Sequence, residues 1–294
     1  MSIVDISWPE KRAFLKHQGY VVIESVVSES VCQQSIKAIC DFMDVDFNDR
    51  SSWYKDDTLN ATGAVPVHHC PEFWALRQEP GLYQAYKEIL QQPNLWVTMD
   101  RASFKPPCRY DLAQYGDDSN PMHWDYDFRK LDTAIYQGMV YLTDTQEKQG
   151  SFACFPQLYR DIVNGTVEQP ELFDQFKVNG LFLKDLMDFT ETDLTIVSAP
   201  AGSLIIFDSR LPHGNICNHH NEPRFVQYLS MFQAENKSAI PELLYQDRAE
   251  RIDCYVNSRP PSWLRNWKGQ LDPEPFVAEQ LTELGRKLVG IDQW

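Results

Sequence analysis

The stretch LTIVSAPAGSLIIFDSRLPH, residues 194–213, contains the pattern that decides the fold. Two runs rich in Leu, Ile, Val and Phe, at 194–199 and 203–207, are separated by Pro200-Ala201-Gly202, where Pro and Gly favour a turn. Both runs are short for helices, and β-branched and aromatic residues favour strands. The stretch therefore predicts two short strands, and His213 follows just beyond the second.

Four further segments have the same composition and are bounded by Gly, Pro, Asn or Asp. They are WVTMDRASF (96–104), YQGMVYLT (136–143), SFACF (151–155) and RFVQYLSMF (224–232). Patterns before Trp96 predict helices at 8–18, 28–42 and 81–91 and a strand beginning at Tyr20. Short strands that follow a helical part predict a β-sandwich or barrel with helices on its outside.

The chain of 294 residues has no internal repeat and no convincing linker. We therefore expect one domain over 1–294, because a chain of this length can bury one large core. Its predicted parts are a helical N-terminal part at 1–95, a β core at about 96–235 and a C-terminal extension at 236–294. Residues 157–193 are predicted to be an irregular or helical addition to the core.

The formal net charge is −15, with a pI of about 4.8. A surface this acidic repels phosphate backbones and anionic lipids, so we expect neither a nucleic acid nor a membrane partner. The charge has two interpretations, which are simple solubility and a preference for a cationic or zwitterionic substrate. The seven cysteines are odd in number and lack a C-x-x-C pair, which is typical of reduced thiols in the cytoplasm. We expect no signal peptide and no membrane span.

Three features can carry chemistry. In His123-Trp124-Asp125 the imidazole and the carboxylate would point to the same side of a strand and could share a metal. His213 could complete a set of two histidines and one carboxylate, which leaves three positions open on Fe(II). Arg224, eleven residues after His213, opens a predicted strand, and its planar guanidinium can bind a carboxylate through two hydrogen bonds.

These residues resemble the motifs of the phytanoyl-CoA dioxygenase family of Fe(II)- and 2-oxoglutarate-dependent oxygenases. The resemblance extends from GYVVIES (19–25) to about Met231. It rests on KPP (105–107), PMHWD (121–125), YLTDT (141–145) with Gly150, and PAGSLIIFDSRLPHGN (200–215) followed by Arg224. It implies a double-stranded β-helix, or jelly roll, with flanking helices. It also implies that His123, Asp125 and His213 bind Fe(II), that Arg224 binds the distal carboxylate of 2-oxoglutarate, and that O2 is the oxidant.

The resemblance also suggests further contacts. Tyr141 is a candidate for the cosubstrate site, although packing inside the barrel explains an aromatic residue there equally well. Asn120 could donate to the proximal carboxylate of the cosubstrate or could be a turn residue. Arg101, Lys105 and Arg129 are candidates for binding a substrate carboxylate, and surface ion pairing is the alternative for most of them.

The resemblance does not define the substrate. The family commonly has Pro-Gly-Ser-His after its glycine turn, whereas this chain has Phe155-Pro156-Gln157-Leu158. We expect a small molecule, either a secondary metabolite or an amino-acid-like compound, to be hydroxylated, desaturated or demethylated. Two alternatives are a jelly-roll enzyme that uses another metal without 2-oxoglutarate and a binding protein that has lost catalysis. The sequence gives no oligomeric state.

Overall fold

The computed structural model describes residues 7–54, 63–112, 115–116, 122–130, 134–168, 170–176, 181–183, 193–240, 245–264 and 281–294. The helices in these ranges are α1 (Trp8–Gln18), α2 (Glu29–Met43), α3 (Pro71–Arg77), α4 (Pro80–Leu90), α5 (Pro156–Asn164), α6 (Arg248–Val256) and α7 (Glu283–Val289). The strands are β1 (Tyr20–Ile23), β2 (Ala64–Val65), β3 (Leu95–Val97), β4 (Ala102–Lys105), β5 (His123–Trp124), β6 (Tyr136–Tyr141), β7 (Phe152–Cys154), β8 (Leu181–Phe182), β9 (Thr195–Val197), β10 (Leu204–Asp208), β11 (His213–Asn215), β12 (Arg224–Tyr228) and β13 (Met231–Gln233).

Two antiparallel sheets form the barrel of a double-stranded β-helix. One sheet has the order β1-β10-β6-β12-β4-β2, and the other has the order β8-β5-β11-β7-β9. Side chains from both sheets pack into one interior cluster, which includes Met139 and Ile205 from the first sheet and Phe152 and Val197 from the second. The expected fold class is therefore confirmed.

The strand β10 shows why residues 203–207 are apolar without alternation. Ile205 and Phe207 point into the barrel, whereas Leu204 and Ile206 point to the opposite face of the sheet. That outer face packs against the helices α1–α4, so both faces of the strand are buried. A strand covered on both faces is apolar at successive positions, because neither face contacts water.

Helix ends follow local signals. The predicted helices correspond to α1, α2 and α4, and the hydroxyl of Ser28 accepts a 3.4 Å hydrogen bond from the backbone N–H of Val31 at the start of α2. Gly19 ends α1 with a φ of 80°, a left-handed conformation that glycine adopts without steric cost. No helix among the described residues is both long and apolar enough to span a bilayer.

Two predicted strands are wrong in extent. The segment 96–104 includes parts of β3 and β4, and the segment 224–232 includes β12 and part of β13, because one strand ends at Val97 and another ends at Tyr228. Just after these strand ends, Thr98 and Ser230 form hydrogen bonds with each other, so the two segments leave the sheet side by side. The strands β3 and β13 then pair with each other outside the six-stranded sheet. The helix α3 was not predicted, since seven residues give too short a periodic pattern.

Gly202 lies in the turn before β10 and is held from two sides. Its N–H donates to the carbonyl of Tyr141, and its own carbonyl accepts from Val26 and Val27. The backbone has a φ of 78°, and a Cβ at this position would lie 2.2 Å from the carbonyl oxygen of Val27. The turn thus joins the sheet to the segment between β1 and α2.

We expect Gly202→Ala to lower the free energy of unfolding by about 2–4 kcal/mol, because left-handed strain and a backbone clash add. Gly165→Ala is the matched control, since Gly165 has a φ of 68° and a Cβ added there would have no atom within 4 Å. It should cost only about 1 kcal/mol, from strain alone. Urea unfolding of the two variants measures the difference, and equal costs would refute the packing argument.

Candidate metal centre

The two residues of the strand β5, His123 and Trp124, point to opposite faces of the sheet. Successive side chains of a strand point to opposite faces, so the indole of Trp124 packs outside among Phe128 and Phe173, while His123 points inward. The Trp124 indole N–H also donates to the carbonyl of Arg210 at 3.0 Å. This anchoring fixes the short strand and therefore the direction of His123.

The strand β11 lies directly beside β5 and brings the second histidine to the first. His213 is the register partner of His123, and the two ring centroids are 4.8 Å apart. His213 is buried against the rings of Phe152 and Phe207. Its Nδ1 is 3.0 Å from the carbonyl oxygen of Leu211, so a proton on Nδ1 would leave Nε2 with a lone pair for a metal.

Asp125 lies between the two imidazoles, one residue beyond β5. Its Oδ1 is 3.4 Å from His123 Nε2, and its Oδ2 is 3.4 Å from His213 Nε2. Partial removal from water would raise the pKa of Asp125, but hydrogen bonds and charge from the two histidines hold that pKa well below its ordinary value. The carboxylate is therefore ionised and able to bind a cation.

The three side chains fit one metal ion. Their ligand atoms all lie within 4.8 Å of one another. An ion about 2.1 Å from each donor would separate neighbouring donors by about 3 Å, so small rotations of these side chains suffice. Two imidazoles and a carboxylate are the donor set of facial-triad Fe(II) sites. Gln137 adds support, because its Nε2 donates to Asp125 Oδ2 at 3.0 Å.

Arg224 lies inside the barrel at the start of β12 and is fully buried. Its Nη1 donates to Asn215 Oδ1 at 2.6 Å, and its Nη2 donates to the hydroxyl of Ser103 at 2.8 Å. Its Nε is buried and has no hydrogen-bond partner among the described residues. Because an unpaired buried donor costs free energy, this guanidinium is suited to receive an anion.

The structure locates one of the two additional cosubstrate candidates. The hydroxyl of Tyr141 donates to the carbonyl of Val197 at 2.9 Å and accepts from the N–H of Phe152 at 2.8 Å. These bonds tie β6 to two strands of the opposite sheet, which is a packing role, and cosubstrate contact by Tyr141 stays a prediction. Asn120 lies outside the described residues, so its role also stays a prediction.

The three basic candidates for substrate binding have different surroundings. Lys105 is buried as the register partner of Arg224, and its Nζ donates to the carbonyl of Ile216 at 2.7 Å. Arg101 is half-buried, with its guanidinium 5.8 Å from the ring centroid of Tyr228. Arg129 is exposed and forms ion pairs with the acidic side chains of Asp127 and Asp174. Surface pairing therefore describes Arg129 and not Lys105, and all three substrate roles stay predictions.

A cavity of about 290 Å³ lies one side chain away from the metal-binding residues, which do not line it themselves. Gln137 and Tyr126 belong to its wall, and Gln137 also contacts Asp125. Removal from water and the carboxylates of Asp125 and Asp100 raise the pKa of Tyr126 well above its usual value. The phenol of Tyr126 therefore stays protonated.

His68 and His69 lie elsewhere, in a buried region beside Arg77. Burial and the Arg77 guanidinium lower the pKa of both to about 3, so both imidazoles are neutral. His69 Nε2 is 2.8 Å from the carbonyl oxygen of Arg259, and Arg77 Nη1 donates to the carbonyl of His68. These contacts fit a structural role for both histidines.

Three residues that hold the site in place were not among the predicted ones. Asn215 could have been found, because it is two residues beyond His213 on the same strand and points to the same side. Gln137 and Ser103 carried no signal, because their positions depend on how β6 and β4 pair with other strands. Nothing local to either segment specifies that register.

Comparison with known sequences gives one family. The family model described as phytanoyl-CoA dioxygenase matches residues 15–226, which is most of the chain. A protein of Dictyostelium discoideum, provisionally named a phytanoyl-CoA dioxygenase, is 24% identical over 294 aligned positions. That alignment covers 83% of this chain and 80% of the relative.

Solved structures share the fold at low sequence identity. GlcNAc Inducible Gene 2 of Candida albicans has a TM-score of 0.67 at 12% identity, over 96% of this chain and 76% of that chain. The epimerase SnoN of nogalamycin biosynthesis, solved with Fe3+, alpha ketoglutarate and nogalamycin RO, has a TM-score of 0.54 at 13% identity. That match covers 81% of this chain and 90% of SnoN.

Proposed function

The chain belongs to the phytanoyl-CoA dioxygenase family, and we propose that it is an Fe(II)- and 2-oxoglutarate-dependent oxygenase that oxidises a C–H bond of a small molecule. The single observation that carries this proposal is the convergence of His123, Asp125 and His213 in the barrel that also contains the buried Arg224. Three protein ligands on one face of an ion leave three positions for cosubstrate and O2.

Arg224 supports 2-oxoglutarate as the cosubstrate. Its partner Asn215 is two residues along β11 from His213, a step of about 6.6 Å in a strand. A five-carbon diacid can extend over a comparable distance, with one end at the metal and the other at the guanidinium. The unpaired Nε and the adjacent Lys105 would offer hydrogen bonding and positive charge to the distal carboxylate.

The other residues of the site would orient and shield the reactants. Bound Fe(II) would supply the activation of O2 that couples decarboxylation of 2-oxoglutarate to oxidation of the substrate. Gln137 holds the Asp125 carboxylate, and the carbonyl of Leu211 holds the ring of His213. Phe152 and Phe207 cover His213 and keep water from that side of the site. The cavity beside Gln137 is the proposed substrate site.

Two alternatives predict different behaviour. A jelly-roll enzyme that uses another metal without 2-oxoglutarate would have no use for the buried Arg224. A binding protein without catalysis would have no need for three metal ligands that converge. The likeness to SnoN, which was solved with Fe3+ and alpha ketoglutarate, favours the oxygenase over both.

We further propose a single cytoplasmic domain with a small-molecule substrate and no nucleic acid or membrane partner, on the basis of composition and charge.

Succinate release tests the proposal directly. Anaerobically purified protein, given Fe(II), 2-oxoglutarate and air, should release succinate slowly even without its substrate, because the cosubstrate site is complete. Omitting Fe(II) or replacing it with Zn2+ should stop this release. Metal analysis of the protein after loading with Fe(II) and removal of unbound metal should give one Fe(II) per chain. Tight iron binding without any succinate would favour the alternative enzyme class, and the absence of metal binding would favour the binding protein.

A further inference from the structure

The cavity beside Gln137 and Tyr126 has an unusual balance of charge. Among the described residues of its wall, Asp100 is the one acidic residue, and Lys, Arg and His do not occur. Burial raises the pKa of Asp100 above its ordinary value, although the nearby guanidinium groups of Arg101 and Arg77, which do not line the cavity, act in the opposite direction. The polar remainder consists of amides and hydroxyls, such as Gln91, Asn236 and Ser230. A coenzyme A thioester carries several phosphate charges, which proteins bind with Arg and Lys. The described part of the wall therefore offers no group of the kind that binds these phosphates.

Asp100 has acceptor capacity left. Its Oδ1 accepts the backbone N–H of Arg101 at 2.7 Å, and the Nη1 of Arg101 is 3.9 Å from the same oxygen. That second distance is too long for a hydrogen bond, and a carboxylate can accept about four. The side chain is 22% exposed, so a ligand in the cavity can reach it.

The wall of the cavity also offers aromatic surface. Tyr126 and Trp263 line the same cavity, and aromatic faces attract ammonium groups. The net charge of −15 adds a long-range field that draws cations toward the protein and repels polyanions.

From the carboxylate, the aromatic wall and the absence of basic groups among the wall residues that the structure describes, we infer that the substrate carries an ammonium group, which Asp100 binds in this cavity. The inference rests on the proposed function, because it takes the cavity to be the substrate site. It deepens that function by specifying a cationic substrate. It also assigns to Asp100 a binding role that lies outside the metal-binding set.

Matched pairs of small probes test the inference. Benzylamine with benzyl alcohol, choline with its neutral isostere dimethylbutanol, and cadaverine with pentanediol each differ mainly in charge. Binding to protein loaded with Fe(II) and 2-oxoglutarate is measured by calorimetry without O2. We expect at least one cation to bind about tenfold more tightly than its neutral partner, as for a partly exposed charge pair. Octanoyl-CoA should show no binding.

Two variants separate a local effect from a general one. Asp100→Asn keeps an acceptor for the Arg101 N–H but removes the charge, so the preference for the cation should disappear while the protein melts at the same temperature. Asp41→Asn removes the same charge from an exposed position on α2 and should retain the preference. An equal preference in Asp100→Asn, no preference in the wild type for any pair, or binding of octanoyl-CoA would each overturn the inference.

A parallel activity measurement distinguishes failure of the two proposals. Succinate release without probe is measured in the wild type and in Asp41→Asn, and it should be the same in the two, because Asp41 is exposed on α2 and pairs with Lys37. Succinate release with no cation preference would reject the ammonium substrate and leave the oxygenase proposal standing. Cation binding that depends on Asp100, in protein that releases no succinate, would reject the oxygenase and leave the cation site standing.

Discussion

Replacing His213 by alanine is expected to abolish tight Fe(II) binding and all succinate release. The imidazole is buried, its Nδ1 contacts the carbonyl oxygen of Leu211, and its Nε2 is 3.4 Å from Asp125. Removing it leaves two protein ligands. Loss of a residue that merely supports a ligand costs about 10–100-fold in metal affinity, so loss of the ligand itself should exceed about 100-fold.

Equilibrium dialysis against Fe(II) without O2 measures this affinity, and the succinate assay measures turnover. His123→Ala should behave in the same way. His213→Gln keeps most of the side-chain volume, so it tests whether His213→Ala fails merely because of the cavity that it creates. His17→Ala, at an exposed position of α1, is the control and should leave both quantities unchanged. Full iron binding in His213→Ala would remove this residue from the metal centre.

Replacing Arg224 should separate cosubstrate binding from metal binding. Arg224→Met fills similar space without charge, and it should raise the 2-oxoglutarate concentration for half-maximal succinate release by about 30-fold or more, since truncating one partner of a buried charge pair costs about 2–5 kcal/mol. Fe(II) affinity should stay within about threefold, because Arg224 contacts Asn215 and Ser103 and none of the three metal ligands.

Arg224→Lys tests what the guanidinium contributes beyond charge. It retains one positive charge but loses the planar pair of donors, so its effect on 2-oxoglutarate should lie between the wild type and Arg224→Met. Arg286→Met, which removes an exposed ion pair with Asp292, is the control for a lost arginine at the surface. An unchanged cosubstrate requirement in Arg224→Met, with the variant folded, would show that the distal carboxylate binds elsewhere.

Much of the candidate site could be read from the chain. The spacing of His123 and Asp125 puts both side chains on one side of an extended segment, whatever the rest of the protein does. The apolar run at 203–207 predicts a buried strand by composition alone. The helices α1, α2 and α4 follow from local periodicity and from caps such as Ser28 and Gly19.

Other features depended on contacts between distant segments. Lys105 was one of three candidates for binding a substrate carboxylate, and only its register pairing with Arg224 shows that it lies inside the barrel. The segments 96–104 and 224–232 were each predicted to be one strand, because their composition does not change where the chain bends. The cavity with Asp100 in its wall combines residues from α4, β6, β13 and the segment around Trp263, and no local pattern relates them.

The amino-acid sequence by itself determined the strand-rich core and the ligands that lie close together in the chain, since backbone propensity, side-chain alternation and chemical type are local properties. Only the tertiary structure decided that His213 pairs with His123, that Gln137 supports Asp125 and that Arg224 is held by Asn215 and Ser103. The physical reason is strand register. A shift by one residue turns every side chain of a strand to the opposite face, and the correct register is selected by packing of the whole barrel.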